Sequence, residues 1–271
     1  PVAHSFPTRR SSDLSYYNKA LELFKKDSLN NTDRLGMLYN NLGILYKEQG
    51  DYHRAITFYK KSIRLKKQCN PNTLYTTHGN LANSYRLTQN FREAEKHFIK
   101  TIDQGIRHFG EDSYLLNHHY LNYGLLKLNQ KKYKQAKKLI RNSLDITVNH
   151  LGKTNPETSR CYEILGVLCH QTGKYDQALQ HYQQAIIALS DHFTDTTLKS
   201  NPDPGEVVSK SQLVNLLKRK AKTLTELRKN KIKNLKTSLS TYEQALKVIG
   251  NLRTGYQSRE SKLLLTANER V

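Results

Sequence analysis

Eleven histidines and three cysteines are the residues of this chain that could ligate a metal or activate a nucleophile. Their spacing argues against both. His118 and His119 are adjacent, and neighbours on a helix point about 100° apart, so they do not close on one ion together. No HExxH spacing occurs. Cys69, Cys161 and Cys169 are odd in number and form no CxxC, which leaves neither a disulfide framework nor a zinc site. The glycines are scattered at turn positions and form no phosphate-cradling loop. No nucleophile stands at motif distance from a base, so no cofactor and no catalytic residue is expected.

What remains is charge and recognition. Lys and Arg number 44 against 23 acids, a net charge of +21 that favours acidic partners, nucleic acid or anionic surfaces. Two stretches concentrate it. Six basic residues and no acid lie from Lys131 to Arg141, and nine lie from Lys218 to Lys236 around Glu226 alone. On helices, both clusters are expected to spread over outward, solvated faces. No run of 18 apolar residues exists, so no membrane-spanning helix is expected, and the compartment is left open.

The elements that position these residues repeat. A small residue followed four later by an aromatic or branched one recurs at Ala55/Tyr59, Ala94/Phe98, Ala136/Ile140 and Ala178/Tyr182, spaced 39, 42 and 42 residues apart. Twelve residues before each anchor stands Gly43, Ala82, Gly124 or Gly166. Self-similarity at such a period means stacked supersecondary units. Each unit reads as two amphipathic helices joined by a short turn. In the first, Tyr39, Leu42, Gly43 and Tyr46 share one face, Gly50-Asp51 breaks the pattern, and Tyr52, Ala55, Tyr59 and Ile63 form a second stripe. Gly43 and Ala55 are expected to let the two helices approach, with aromatic rings filling the surrounding space. Gly110 and Gly152 are expected to end helices, and Pro156 to start one.

This pattern of an aromatic, Leu-Gly, Tyr, a Gly-x-Tyr turn, Ala and a further aromatic resembles the tetratricopeptide repeat (TPR). Here Lys127 and Cys169 replace the Tyr of the first helix, His78 takes one aromatic place, and Gln89 and Lys131 replace the turn glycine. The long periods resemble the kinesin-light-chain-like subclass. The resemblance implies an all-α fold, a right-handed α-α superhelix (TPR solenoid), with four units over 33–192. Residues 15–32 read as the remaining second helix of a further repeat, 193–210 as a linker, and 211–271 as a diverged repeat and the start of the following helix. Pro1 to Leu14 reads as something else: His4 to Leu14 matches one frame of a translated sequencing-library adapter. It is expected to be an artefact, so that the true N-terminus is missing.

The resemblance also implies where binding occurs. In such repeats the first helix of each unit lines an inner groove, and the residue before the Leu-Gly pair faces it. Those positions are Asn41, Asn80 and Asn122, then Ile164. In the kinesin-light-chain-like subclass an Asn there bonds the backbone of an extended peptide, a task suited to a carboxamide that donates and accepts at once. Lys47, Asn83, Arg86 and Arg160 are neighbouring inner positions that would favour an acidic ligand. Finally, the run from Leu252 to Leu265, with Tyr256-x-Ser258-x-Glu260-Ser261-Lys262, resembles the junction in bacterial TPR proteins that carry a CHAT domain, a caspase-like peptidase. That implies a non-catalytic protein-binding chain serving as the regulatory arm of such a peptidase. A stand-alone TPR adaptor and a basic solenoid that binds nucleic acid stay open as alternatives.

Overall fold

The computed structural model describes residues 9–26, 31–69 and 71–268, with side chains described over 15–25, 31–69 and 72–254. Among the described residues there are helices and turns and no strands. The chain divides into two compact units at Leu139/Ile140.

The first unit contains α1 (Arg9–Lys26), α2 (Thr32–Glu48), α3 (Tyr52–Cys69), α4 (Leu74–Leu87), α5 (Phe91–Phe109) and α6 (Asn117–Asn129). Helix α7 (Tyr133–Leu151) begins in this unit and ends in the second. α2 packs on α3 and α4 on α5 as antiparallel hairpins, while α3 packs on α4 and α5 on α6, so each hairpin rests on the next. The shared core holds Ala55, Tyr59, Leu81, Ala82, Phe98 and Leu126.

The turn within each hairpin follows from its end chemistry. Gly50, Gln89, Lys131 and Gly173 occupy the same repeat position, and all four have positive φ, at 82°, 60°, 58° and 72°. In each turn the next residue's N–H reaches back to close the helix: Asp51 to Tyr46, Asn90 to Tyr85, Lys132 to Lys127 and Lys174 to Cys169, at 2.8–2.9 Å. This is a Schellman closure, which satisfies carbonyls the helix end leaves open. Asp51 and Asn90 then cap the following helices, accepting from the N–H of Arg54 at 3.0 Å and of Glu93 at 3.4 Å. Gly110 and Gly152 end α5 and α7 with φ of 84° and 82°.

Close helix approach rests on the small residues. A Cβ at Gly43 would come within 2.5 Å of the Tyr59 ring. Further along the same interface, the buried hydroxyl of Ser62 donates to the Gly36 carbonyl at 2.6 Å, and one repeat later Thr101 donates to the Tyr75 carbonyl at 3.3 Å.

The second unit contains the remainder of α7, then α8 (Pro156–Gln171), α9 (Tyr175–Ile187), α10 (Lys210–Glu226) and α11 (Lys231–Asn268). Pro156 sits in the first turn of α8, and Asn155 caps it by accepting from the Glu157 N–H at 2.8 Å. Gly166 and Tyr182 repeat the Gly43–Tyr59 arrangement, again with a would-be Cβ at 2.5 Å from the ring. The segment between α9 and α10 is non-helical, yet it folds back on its own unit: the Val208 N–H donates to the Leu189 carbonyl at 3.0 Å, and Val207, Pro202 and Pro204 are buried. Helix α11 runs unbroken from Lys231 to Asn268, past the expected end of the last repeat near Leu252.

Candidate functional site

The first helices of successive hairpins, α2, α4 and α6, touch in sequence, and they present the asparagines marked in the sequence. Asn41 is exposed on α2, while Asn80 on α4 and Asn122 on α6 are half-buried. The structure joins two of them through a residue the sequence reading passed over. Asn80 donates its amide to the Asn40 Oδ1 at 3.4 Å, and Asn40 donates in turn to the Asn41 Oδ1 at 3.5 Å. Asn40 lies beside the Leu-Gly motif rather than in it, and its signal was only the doubled Asn40-Asn41. Asn41, the last amide in this series, is exposed, and a carboxamide carries two donors and an acceptor.

Further along α4, Asn83 accepts from Arg86 Nε at 3.1 Å and Nη2 at 2.9 Å, which orients the guanidinium. Lys47 is half-buried on α2. Arg160 is exposed on α8 and belongs to the second unit, while Ile164 is buried in that unit's core.

Beside Asn122 on α6 stands Lys127, the residue in the place of a repeat Tyr. It is buried, its ammonium is hydrogen-bonded to Glu95 of α5, and it lies 5.0 Å from the Tyr123 ring centroid. Gln130 donates to the second Glu95 oxygen at 3.0 Å, and Lys132 stands 3.9 Å from it. Burial alone would raise the Glu95 carboxyl, but the hydrogen bonds from Lys127 and Gln130, with the charges of Lys127 and Lys132, hold it below its ordinary value. The pair thus removes one positive charge from this face. Glu95 carried no signal in the sequence, because its partner lies 32 residues away on another helix.

His78, His97 and His119 are packing groups. His119 is buried and neutral, held well below its ordinary pKa by burial and then by His118, and its ring fills the space that a Cβ at Gly79 would need. His78 and His97 meet through their Nδ1 atoms at 2.9 Å. Among the described residues no group of three His, Cys, Asp or Glu side chains is placed to hold a metal ion. All three cysteines are free thiols, Cys69 exposed and Cys161 and Cys169 buried. No helix among the described residues is long and apolar enough to cross a membrane.

One expectation about the basic clusters is overturned. Lys220, expected on an outward face, is fully buried. Its ammonium donates to Gln183 Oε1 at 2.6 Å, the Asn201 Oδ1 at 2.8 Å and the Ser200 carbonyl at 3.1 Å. Burial draws its pKa down to about 7, against the opposing pull of Asp195. The folded-back segment after α9 supplies this buried amine with oxygens that no local pattern could reveal.

Hairpins stacked hairpin upon hairpin, with amides along one row of helices, define a helical-repeat scaffold. The chain belongs to the tetratricopeptide repeat family: models of that repeat match residues 14–68 and 115–188, and a second such model matches 76–114. Such repeats generally mediate protein binding and are non-catalytic. Among solved structures, the chain is similar to BtubC (BKLC) from P. vanneervenii, with a TM-score of 0.70 and 15% identity over 91% of this chain and 93% of that one. A putative kinesin light chain with TPR-like repeats from Podosopora anserina gives a TM-score of 0.62 at 10% identity, over 83% of this chain and 98% of that one. PilF of Pseudomonas aeruginosa gives 0.54 at 16% identity, over 85% and 88%. At such identities the likeness speaks to the fold.

Proposed function

We propose that the chain binds an extended, acidic peptide segment of a partner protein along the face formed by α2, α4 and α6. The observation that carries this reading is the amide chain from Asn80 through Asn40 to Asn41, with Asn122 one hairpin further on. Carboxamides at hairpin spacing match the alternating donors and acceptors of an extended main chain. Lys47 and Arg86 supply the charge that would select acidic side chains. In a longer protein this binding unit would act as the regulatory arm of a CHAT-type peptidase, a reading supported by the Leu252 to Leu265 sequence alone.

The test is a display selection for bound peptides, followed by calorimetry on the native chain and on Asn41→Ala, Asn80→Ala and Asn122→Ala. A selected acidic peptide that loses tenfold or more in affinity with each variant supports the groove. Peptides indifferent to all three variants place binding elsewhere. Nucleic-acid binding whose affinity falls steeply with salt, with no peptide selected, would favour the basic-solenoid alternative.

A further inference from the structure

Helix α11 carries an apolar stripe that is exposed among the described residues. Ile232, Leu235, Leu239, Tyr242, Leu246 and Ile249 alternate three and four residues apart, the heptad spacing of a helix-pairing seam. All six are exposed, Ile232 at 75%, Leu246 at 66% and Leu239 at 61%. The helix packs into its own unit through a different face, that of Ser238, Thr241, Ala245 and Val248, all buried. Tyr242 and Ile249, at 37% and 42%, border that buried face, while Ile232, Leu239 and Leu246 stand well clear of it. The stripe spans about 26 Å at 1.5 Å per residue, enough for a partner helix of about three heptads.

The N-terminal end of the stripe is strongly basic. Ile232, its first residue, also lines an open cavity of about 840 Å³ together with Lys199, Lys231, Lys233 and Lys236, and no acid is among the lining residues. None of these four lysines has an ion pair among the described residues. Glu243 stands further along the polar edge, followed by Lys247. Packed in parallel, a second copy of this chain would bring the same lysines, on a molecule of net charge +21, against this end, and packed antiparallel it would bring Lys247 and Arg253. An acidic partner would meet them with opposite charge.

We propose that the α11 stripe is a docking surface for an amphipathic helix of a partner protein, with an apolar heptad seam and carboxylates flanking the end that lies over Lys199, Lys231, Lys233 and Lys236. This surface is separate from the asparagine face and does not depend on the function proposed for it.

The test uses the full chain and two synthetic helical peptides of about three heptads, both with leucine at the seam positions. One carries glutamate at the flanking positions and the other lysine. Fluorescence anisotropy is read at low and high salt, and sedimentation gives the oligomeric state of the chain alone. The glutamate peptide is expected to bind at least tenfold more tightly than the lysine peptide, with the difference shrinking in high salt. Lys231→Glu with Lys236→Glu is expected to erase that preference. Leu239→Asp and Leu246→Asp, at exposed positions where folding is retained, are expected to abolish binding of the glutamate peptide. Equal affinity for both peptides, or no binding of either, overturns the proposal. So does a dimer of the chain that Leu239→Asp dissociates, since that outcome gives the surface to a second copy.

Discussion

The ring of Tyr59 occupies the place where a side chain at Gly43 would begin, and Tyr182 does the same over Gly166. The glycine therefore sets how closely α2 and α3 approach, and the tyrosine ring fills the gap between them. Adding a methyl group favours the helix intrinsically by up to about 1 kcal/mol, but here it must displace a fully buried ring. Gly43→Ala is expected to destabilise the chain by about 1–3 kcal/mol, and Gly43→Val by more. Thermal melts monitored by circular dichroism will show it. Tyr59→Leu in the Gly43→Ala background should recover part of the loss, and the idea fails if Gly43→Ala raises the melting temperature.

Two of the four equivalent turns place a side chain where the other two have glycine. Gln89 and Lys131 adopt φ of 60° and 58°, a conformation that costs a residue with a Cβ roughly 1 kcal/mol or more. Gln89→Gly and Lys131→Gly should each stabilise the chain by about 1 kcal/mol, less the extra entropy glycine gives the unfolded chain. Gly50→Ala and Gly173→Ala should act in the opposite direction. Urea denaturation of the four variants compares them directly.

Glu95 and Lys127 form an ion pair whose cationic end is buried. Glu95→Gln leaves the ammonium inside without its counter-charge and is expected to cost about 3 kcal/mol. Lys127→Met removes the charge along with the need for it, and should be close to neutral because the position packs against Tyr123. A double variant as stable as Lys127→Met would show that the cost lies in the stranded charge. A double variant as weak as Glu95→Gln would show that it does not.

The His78–His97 contact makes stability depend on pH. Burial, then the neighbouring His97 and the lysines Lys100 and Lys67, bring His78 down to about 3, and burial and Lys100 bring His97 to about 4. Unfolded imidazoles take up protons near 6.5. As pH falls below that value, the unfolded chain is protonated first and stability drops, while above it the contribution is complete. The loss at pH 5 is expected to be on the order of 2 kcal/mol for each of the two imidazoles. His78→Tyr, which installs the aromatic found at Tyr39, Tyr120 and Tyr162, should flatten the decline in melting temperature between pH 7.5 and pH 5. An unchanged slope would remove the pair as its source.

The repeat was legible in the chain because each hairpin is built from local rules. Helical periodicity, a turn that needs a left-handed residue, and a small residue opposite a large one all lie within one repeat of sequence. Gly43, Ala55 and Tyr59 could therefore be assigned their parts before any contact was seen, and so could Gly110, Gly152 and Pro156 at helix ends. The asparagine positions were legible only as a register, since Asn41, Asn80 and Asn122 recur at the same place in successive units. Tertiary structure decided what depends on residues far apart in the chain. It joined Asn80 to Asn41 through Asn40, paired Lys127 with Glu95, and buried Lys220 among oxygens of a folded-back loop. It also left the α11 stripe exposed although its pattern is that of a buried face. A hydrophobic period tells which residues seek cover. Which of them find it, and which buried charges find partners, is set by the elements that the rest of the chain brings alongside.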